Sequence, residues 1–446
     1  MAAPLYEYVV VIGAGLSGLY AAWEIQKAGL TCVVLESKDQ VGGKALSVAS
    51  KTGNVEFGPA WINLTNQTYV AALVKKFNIE VIDQYLEGDL VLDFGGKYKR
   101  VKAEDLYKLS KDLGIDIDSL TLEEFVRTLN PSEMTLEHLN IHTRGIWGLE
   151  ASEMSALFFF YFCKNNGGLK RLKSQGKDGM LHLRIRQGTQ VFATGITAQL
   201  SKDSVVLRSP VTKIEQSSDN AVVITSSRAF ECQQVILSTQ PPLYNRIVFE
   251  PPLPTGKAEL ARLTKLGNFS KTIVVYEHPW WRNAGLSGIV QSAMGPAFAM
   301  LDTCNVMDHH HSLTCFIDGE PGIAWSKKSK NDREREVLDQ IEASLGAHAR
   351  SEDPIQILEY QWIHDEWSQG ANGAVMPPGL MTKHGAALDE PFGRIHFVGA
   401  EIANSHMGSM EGALRSGEKG AQAVIQNLQN EINSRGDCEI MSTKRS

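Results

Sequence analysis

The 446-residue chain has no unbroken apolar stretch of about 18 residues, which excludes a membrane-spanning helix. Its opening MAAPLYEY lacks both a basic n-region and a long apolar run, so no secretory leader is expected. Its closing STKRS is neither a peroxisomal S-K-L nor a lipidation box. Cysteine is sparse: Cys32, Cys163, Cys232, Cys304, Cys315 and Cys438 form no C-x-x-C pair and have no His partner at metal spacing. A disulfide framework and a metal centre are therefore not expected, and free thiols in a reducing, cytoplasmic setting are. With no secretion, Asn63-Leu64-Thr65 and Asn66-Gln67-Thr68 are chance matches to glycosylation acceptors. The triplet His309-His310-His311 reads as a polar loop, since neighbouring side chains rarely converge on one ion. Positive charge is also in deficit, 44 Lys+Arg against 51 Asp+Glu for a net charge of −7. The basic clusters at 164–177 and 326–336 are short solvated faces, and nucleic acid is not an expected partner.

A 43% hydrophobic chain of this length buries a large core and divides into about three domains or two large ones. The segment YEYVVVIGAGLSGLYAAWEIQKAGLTCVVLESK (6–38) reads as strand, tight turn, helix and second strand. Its turn, Gly13-Ala14-Gly15-Leu16-Ser17-Gly18, is a dinucleotide fingerprint in the context that gives such a pattern meaning. The first glycine allows the sharp turn, the second lets backbone approach a pyrophosphate, and the third lets helix pack on strand. The phosphates would sit at the helix N-terminus, with Ala14 and Ser17 in the same cradle. Glu36, at the end of the second strand, would accept hydrogen bonds from the ribose hydroxyls. Gly42-Gly43 followed by Lys44 offers a second contact to the same diphosphate, which an ordinary NAD site does not need. No second fingerprint of this kind occurs, so a built-in NAD(P)H site is not expected.

At this point the chain resembles the flavin amine oxidase (monoamine oxidase) family, with Lys38 and Lys44 where arginines are usual in that family. Charge is kept there and the bidentate fork is lost. The resemblance runs on through VEFGPAWI (55–62), where Gly58, Pro59, Ala60 and Trp61 would lie along the flavin ring. It includes ASEMSALFFFYFCKNNGG (151–168), similar to a long substrate-domain helix, and SPVTKIEQ (209–216), where Val211 would meet the adenine. In RIHFVGAEIANSHMGSMEGAL (394–414), Gly399 and Glu401 would serve the ribityl and phosphate region. Met410 would present its N–H to the flavin pyrimidine, where a helix N-terminus favours the negative charge of reduction. QWIHDEWSQGANGAVMPPG (361–379) supplies Trp362 as a further cofactor contact. Its usual tether position holds Ala371, which has no nucleophile, so the resemblance implies non-covalent FAD. In GNFSKTIVVYEHPWW (267–281), Lys271 heads an apolar strand at Thr272–Tyr276. In the family such a lysine reaches flavin N5 through water, which makes Lys271 the expected catalytic residue.

The fold this implies is α/β, a Rossmann-like FAD-binding domain (1–82, 188–262 and 366–446) interleaved with a mixed α+β substrate domain (83–187 and 263–365). The implied activity is oxidative deamination of a primary amine with O2, giving carbonyl, ammonia and hydrogen peroxide. The two rings that usually flank the amine are replaced by Asn372 and Ser409. That implies a roomier site for a bulky or long-chain amine, fumonisin-like mycotoxins being one candidate. A polyamine or L-amino-acid oxidase of the same fold, and a non-catalytic flavoprotein, stay open as alternatives. So do a homodimer and the choice among Arg144, Arg184 and Arg282 as the arginine facing the site.

Overall fold

The computed structural model describes residues 5–93, 98–101, 118–174, 176–346, 349 and 352–443. The chain ends at 1–4 and 444–446, on which the leader and lipidation expectations partly fell, and the Cys438 side chain lie outside the described residues. The chain divides into two compact units, 1–45 with 190–262 and 384–446, and 46–189 with 263–383.

The first unit is built on an eight-stranded sheet. Leu5–Ile12 lies at its centre, parallel to Cys32–Leu35 on one side and to Ala229–Leu237 on the other. Val9, Val10 and Val11 are fully buried, because a central parallel strand has both faces covered. Ala229–Leu237 serves two neighbours along its far edge. Its first half pairs antiparallel with Ala221–Thr225, and its second half pairs parallel with Ile395–Phe397. The helix Leu16–Lys27 packs Leu19, Ala21, Ala22 and Ile25 inward, and Gly29 (φ +80°) ends it. The long helix Met410–Thr443 crosses it closely: a Cβ on Gly417 would lie 2.3 Å from the Ser17 carbonyl oxygen.

The second unit carries a seven-stranded sheet ordered Gln356–Gln361, Ser270–Tyr276, His311–Phe316, Ala299–Asp302, Leu286–Ser292, Asp89–Asp93 and Tyr98–Val101. Ser270–Tyr276 is buried along its whole length. Its even residues Val274 and Tyr276 join a core with Trp280, Trp281 and Leu313, whereas Ile273 and Val275 join one with Val55, Phe57 and Trp362. By the two-residue period of a strand, Lys271 stands on that second face. A small three-stranded sheet pairs Leu183–Ile185 with Trp61–Ile62 on one side and Val81–Asp83 on the other.

The compact units break the chain elsewhere than at the expected boundaries. The first break falls after Ala45 rather than at 82, because Trp61–Ile62 and Val81–Asp83 both pair with Leu183–Ile185. Residues 366–383 go with the second unit because Ala371–Val375 pairs with Lys265–Gly267. The long helix expected over 151–168 is also interrupted. A 3-10 turn at Ala151–Glu153 gives way to a ten-residue helix, Ala156–Asn165, whose N-cap Ser155 accepts from the Phe158 N–H. Such a cap starts a helix at its own position, so the apolar run does not extend it backwards.

Candidate active site

In the first unit the fingerprint residues converge. Gly13 adopts φ +101°, and a Cβ on Gly18 would lie 2.1 Å from the Gly13 carbonyl oxygen, closer than any side chain tolerates. A Cβ on Gly15 would meet nothing within 4 Å. Gly15 is the N-cap of Leu16–Lys27, with no side-chain cap and no acid in the first turn, so the helix start is open to an anion. The second glycine pair closes on the same turn: Gly42 N–H donates to the Ala14 carbonyl at 2.8 Å, and Gly15 bridges to Gly42. Ser17 is tied to Ser238, hydroxyl to hydroxyl, at 2.7 Å. The Glu36 carboxylate accepts from the Ala14 N–H (2.7 Å) and the Lys38 N–H (2.8 Å), which fixes its orientation. Val211 opens the strand Val211–Gln216 and is buried. These features fit a dinucleotide.

Two further residues of this unit lie in one neighbourhood. Glu401 sits buried in a 3-10 turn following Gly399, where a Cβ would lie 2.4 Å from the carboxylate and would push that side chain aside. Burial pushes the Glu401 carboxyl up from its ordinary range, and the charge of Lys44 opposes that. Met410 begins the last helix. The hydroxyl before it, Ser409, donates to the His406 carbonyl (2.6 Å) and accepts from the Gly412 N–H (3.2 Å). Ser409 is thus a helix cap, a role the sequence reading did not give it.

In the second unit Lys271 lies inside its strand, which begins at Ser270, and is 2% exposed. It does not snorkel. Its ammonium donates to the backbone carbonyls of Glu56 (3.2 Å) and Gly58 (2.5 Å) and lies 5.2 Å from the Phe316 ring centre. The sheet therefore holds Lys271 onto the 55–62 segment that the sequence had singled out. Burial lowers the Lys271 pKa, and the carboxylates of Glu56 and Asp318 resist that fall. Glu56 moves the opposite way. Burial raises it, against hydrogen bonds from Ser47 and Thr189 and the charge of Lys271. Asp318, 1% exposed, accepts from the Ser270 N–H at 3.0 Å and is likewise raised by burial.

Lys271 also faces a cavity of about 30 Å³, bounded by Glu56, Ala60, Trp61, Arg184, His310 and Thr314 among others. Trp61 donates to Gln84 (2.8 Å), and Pro59 beside it is half-buried. Trp362, 1% exposed, donates from its indole N–H to the Phe57 carbonyl at 2.9 Å. Of the three arginines left open, Arg144 is paired with Glu150 and Glu137, and Arg282 with Asp302. Arg184 alone of the three lines this cavity.

Asn372, expected at the substrate, is held at φ +60° and donates from its side chain to the Ile146 carbonyl at 2.8 Å. Ala371 is buried, 3% exposed. Of the histidine triplet, His309 lies exposed in a turn as expected, but His311 opens the strand His311–Phe316. His310 is 1% exposed and hydrogen-bonded to the Thr52 (2.8 Å) and Ser312 (2.9 Å) hydroxyls. Asn63 is fully buried, its side chain donating to Lys177 and Gly179 carbonyls, and is no glycosylation acceptor. Sequence reasoning missed Glu56, Asp318 and His310, and left Arg184 as one of three arginines. The only available signal was Glu56's place beside the Gly58 segment.

A family model described as flavin containing amine oxidoreductase matches residues 16–425. Flavin-containing amine oxidase B of Bos taurus is 28% identical, over 94% of this chain and 86% of its own length. Among solved structures, wild-type putrescine oxidase bound to putrescine is similar at a TM-score of 0.87 and 26% identity, covering 95% of this chain and 100% of that one. Cyclohexylamine oxidase from Brevibacterium oxydans is similar at 0.87 and 26%, covering 95% and 99%. Among the described residues no helix is long and apolar enough to cross a membrane, and no cluster of His, Cys, Asp or Glu could hold a metal ion. The open fingerprint turn, the buried lysine and these likenesses converge: the chain belongs to the flavin containing amine oxidoreductase family, and is an FAD-dependent enzyme acting on amines.

Proposed function

We propose that this protein oxidatively deaminates a primary amine carrying a bulky or long-chain substituent, with Lys271 as its catalytic residue. Amine, O2 and water yield carbonyl, ammonia and hydrogen peroxide. The observation that carries the reading is the Lys271 ammonium, buried in a sheet and tied to the Glu56 and Gly58 carbonyls. Function accounts for it better than stability does, since desolvating an ammonium is costly.

FAD supplies the hydride-accepting and O2-reactive chemistry when bound. The turn at Gly13, Ala14, Gly15, Ser17 and Gly18, with Gly42, Gly43 and Lys44, would hold its diphosphate. Glu36, oriented by two backbone N–H groups and flanked by Lys38, would hold the adenosine ribose, and Val211 the adenine. Gly399, Glu401 and the Met410 helix start would serve the ribityl and pyrimidine end. Gly58, Pro59, Ala60, Trp61 and Trp362 would line the ring. Lys271 would position water for reoxidation. With Ala371 at the tether position, the cofactor is held without a covalent bond.

Asn372 and Ser409 carry no rings, and the Asn372 side-chain N–H and the Ser409 hydroxyl both bond to backbone. They leave room rather than supply substrate hydrogen bonds, which supports a bulky amine whose remote contacts position its α-carbon. Arg144 and Arg282 are paired with carboxylates, so an amino-acid oxidase reading would rest on Arg184. A non-catalytic flavoprotein would have no use for Lys271. The buried free thiols of Cys32, Cys163, Cys232, Cys304 and Cys315 support a reducing, cytoplasmic location. The test is an amine panel with peroxide detection on the purified yellow protein, followed by acid denaturation and filtration. Peroxide with long-chain amines and FAD in the filtrate are expected. A preference for benzylamine would contradict the substrate reading, and flavin retained on the polypeptide would contradict the mode of binding.

A further inference from the structure

The cavity beside Lys271 has a composition that packing alone does not explain. Trp61, Arg184 and Ile82 stand directly opposite one another across the three-stranded sheet, and all three line it. Lys271, Ile273 and Thr314 line it from the seven-stranded sheet, where Ile273 pairs with Thr314. Arg184 is 8% exposed. Its terminal nitrogens donate to the Thr303 (2.9 Å) and Cys304 carbonyls, while its Nε has no protein partner. Among the described residues it makes no ion pair with a carboxylate. A buried donor without a partner is destabilising. A polar cavity needs roughly 10–15 Å³ to hold a water, so about 30 Å³ takes about two.

We propose that this cavity is a hydrated proton compartment, in which Glu56 is a positioning residue that exchanges a proton with Lys271 through water. The geometry at Lys271 permits it. An ammonium has three N–H donors, and the Glu56 and Gly58 carbonyls take two of them. The third is left for water. When the ammonium gives that proton up, the remaining amine keeps both carbonyl contacts and turns its lone pair toward the cavity. One N–H bond breaks and one carboxyl O–H bond forms, the intervening water gains one proton as it loses another, and net charge is unchanged. Lys271 can thus change state without leaving its place. Glu56 is held for the exchange by Thr189, whose hydroxyl (2.6 Å) and N–H (3.2 Å) both donate to its carboxylate.

The groups facing Lys271 come from several segments and pull in opposite directions. Glu56 and Asp318 favour the ammonium, and the Arg184 guanidinium across the cavity favours the amine. His310 stays neutral, since burial and the charge of Arg184 push its pKa down to about 4. Arg186, also at the lining, is neutralised by Asp308 and Glu80. Among the described residues that line the cavity, Glu56 carries the one carboxylate.

This inference rests on Lys271 being the functional lysine, but it is tested separately. Infrared spectra of the holoenzyme across pH, with and without ¹³C-labelled glutamate, would read the carboxylic acid band of Glu56 without turnover. The band should titrate near neutral pH, vanish in Glu56→Gln, and move its midpoint up by about one pH unit in Lys271→Met, because the stabilising cation is gone. Should Lys271→Met fold poorly, Lys271→Gln serves for the same shift. The isotope label identifies a glutamate band in the wild type even if Glu56→Gln does not fold. No titrating glutamate band, or one indifferent to removal of the Lys271 charge, would overturn the proposal. Unchanged O2 reactivity in Lys271→Met would instead overturn the catalytic reading and leave this coupling standing.

Discussion

Each unit of the molecule buries a lysine. Lys257 in the first and Lys271 in the second are both 2% exposed, and burial lowers the pKa of both. By those measures they are twins. Their surroundings differ. Lys257, on the helix Thr255–Leu263, donates to the Ala387 carbonyl at 2.6 Å and lies 3.5 Å from the centre of the Phe397 ring, with Asp389 and Glu390 as its nearest counter-charges. It closes a packed corner. Lys271 bonds to two carbonyls of a glycine-containing segment, faces a polar cavity, and is balanced by Glu56 and Asp318. Burial and a perturbed pKa are thus shared by a structural and a functional lysine. A third donor facing room for water separates them.

The comparison breaks most readily at Lys257. Lys257→Met keeps the stem and removes a buried charged hydrogen bond, which should lower unfolding stability by about 2 kcal/mol. FAD content and turnover of the folded enzyme should stay as they were. Denaturant unfolding followed by flavin absorbance checks both. A loss of activity without a loss of stability would make Lys257 more than structural.

A second effect appears on titration. The Lys257 pKa lies at about 8 in the folded protein, below its ordinary 10.5, so the unfolded chain binds more protons between those values. Stability should therefore rise with pH across that window, and less so in Lys257→Met. Parallel curves for the two proteins would show that Lys257 is not depressed.

Ser409 gives the smallest change. Its role as a cap predicts that Ser409→Ala costs about 1 kcal/mol of stability, with little change in kcat/KM for a long-chain amine. A large change in kcat/KM at unaltered stability would return Ser409 to the substrate.

What the sequence made legible follows contact distance along the chain. The fingerprint could be read because strand, turn, helix and Glu36 are contiguous, and Gly18 meets Gly13 within one turn. Lys271 could be placed because its strand is a single apolar run. The cavity was illegible, because Arg184 lies in the three-stranded sheet, Lys271 in the seven-stranded one, and Glu56 in a two-stranded ribbon of Ser47–Ala49 with Asn54–Glu56. His310 looked like loop because its neighbours are polar, yet those hydroxyls are what satisfy it in the interior. Asn372 and Ser409 were legible as missing rings but not as backbone partners, since φ +60° and a capped helix start are conformational facts. The compact units part after Ala45 rather than at 82 because strand partners about a hundred residues away decide where the chain divides.

The most direct test of the account is the rate at which O2 reoxidises the reduced flavin in Lys271→Met, with Lys257→Met as its control, by stopped flow. Lys271→Met should bind FAD and reoxidise at least about tenfold more slowly than wild type, a barrier difference of about 1.4 kcal/mol, while Lys257→Met matches wild type. Equal rates in all three proteins would contradict it, and would make Lys271, like Lys257, a lysine that the fold merely buries.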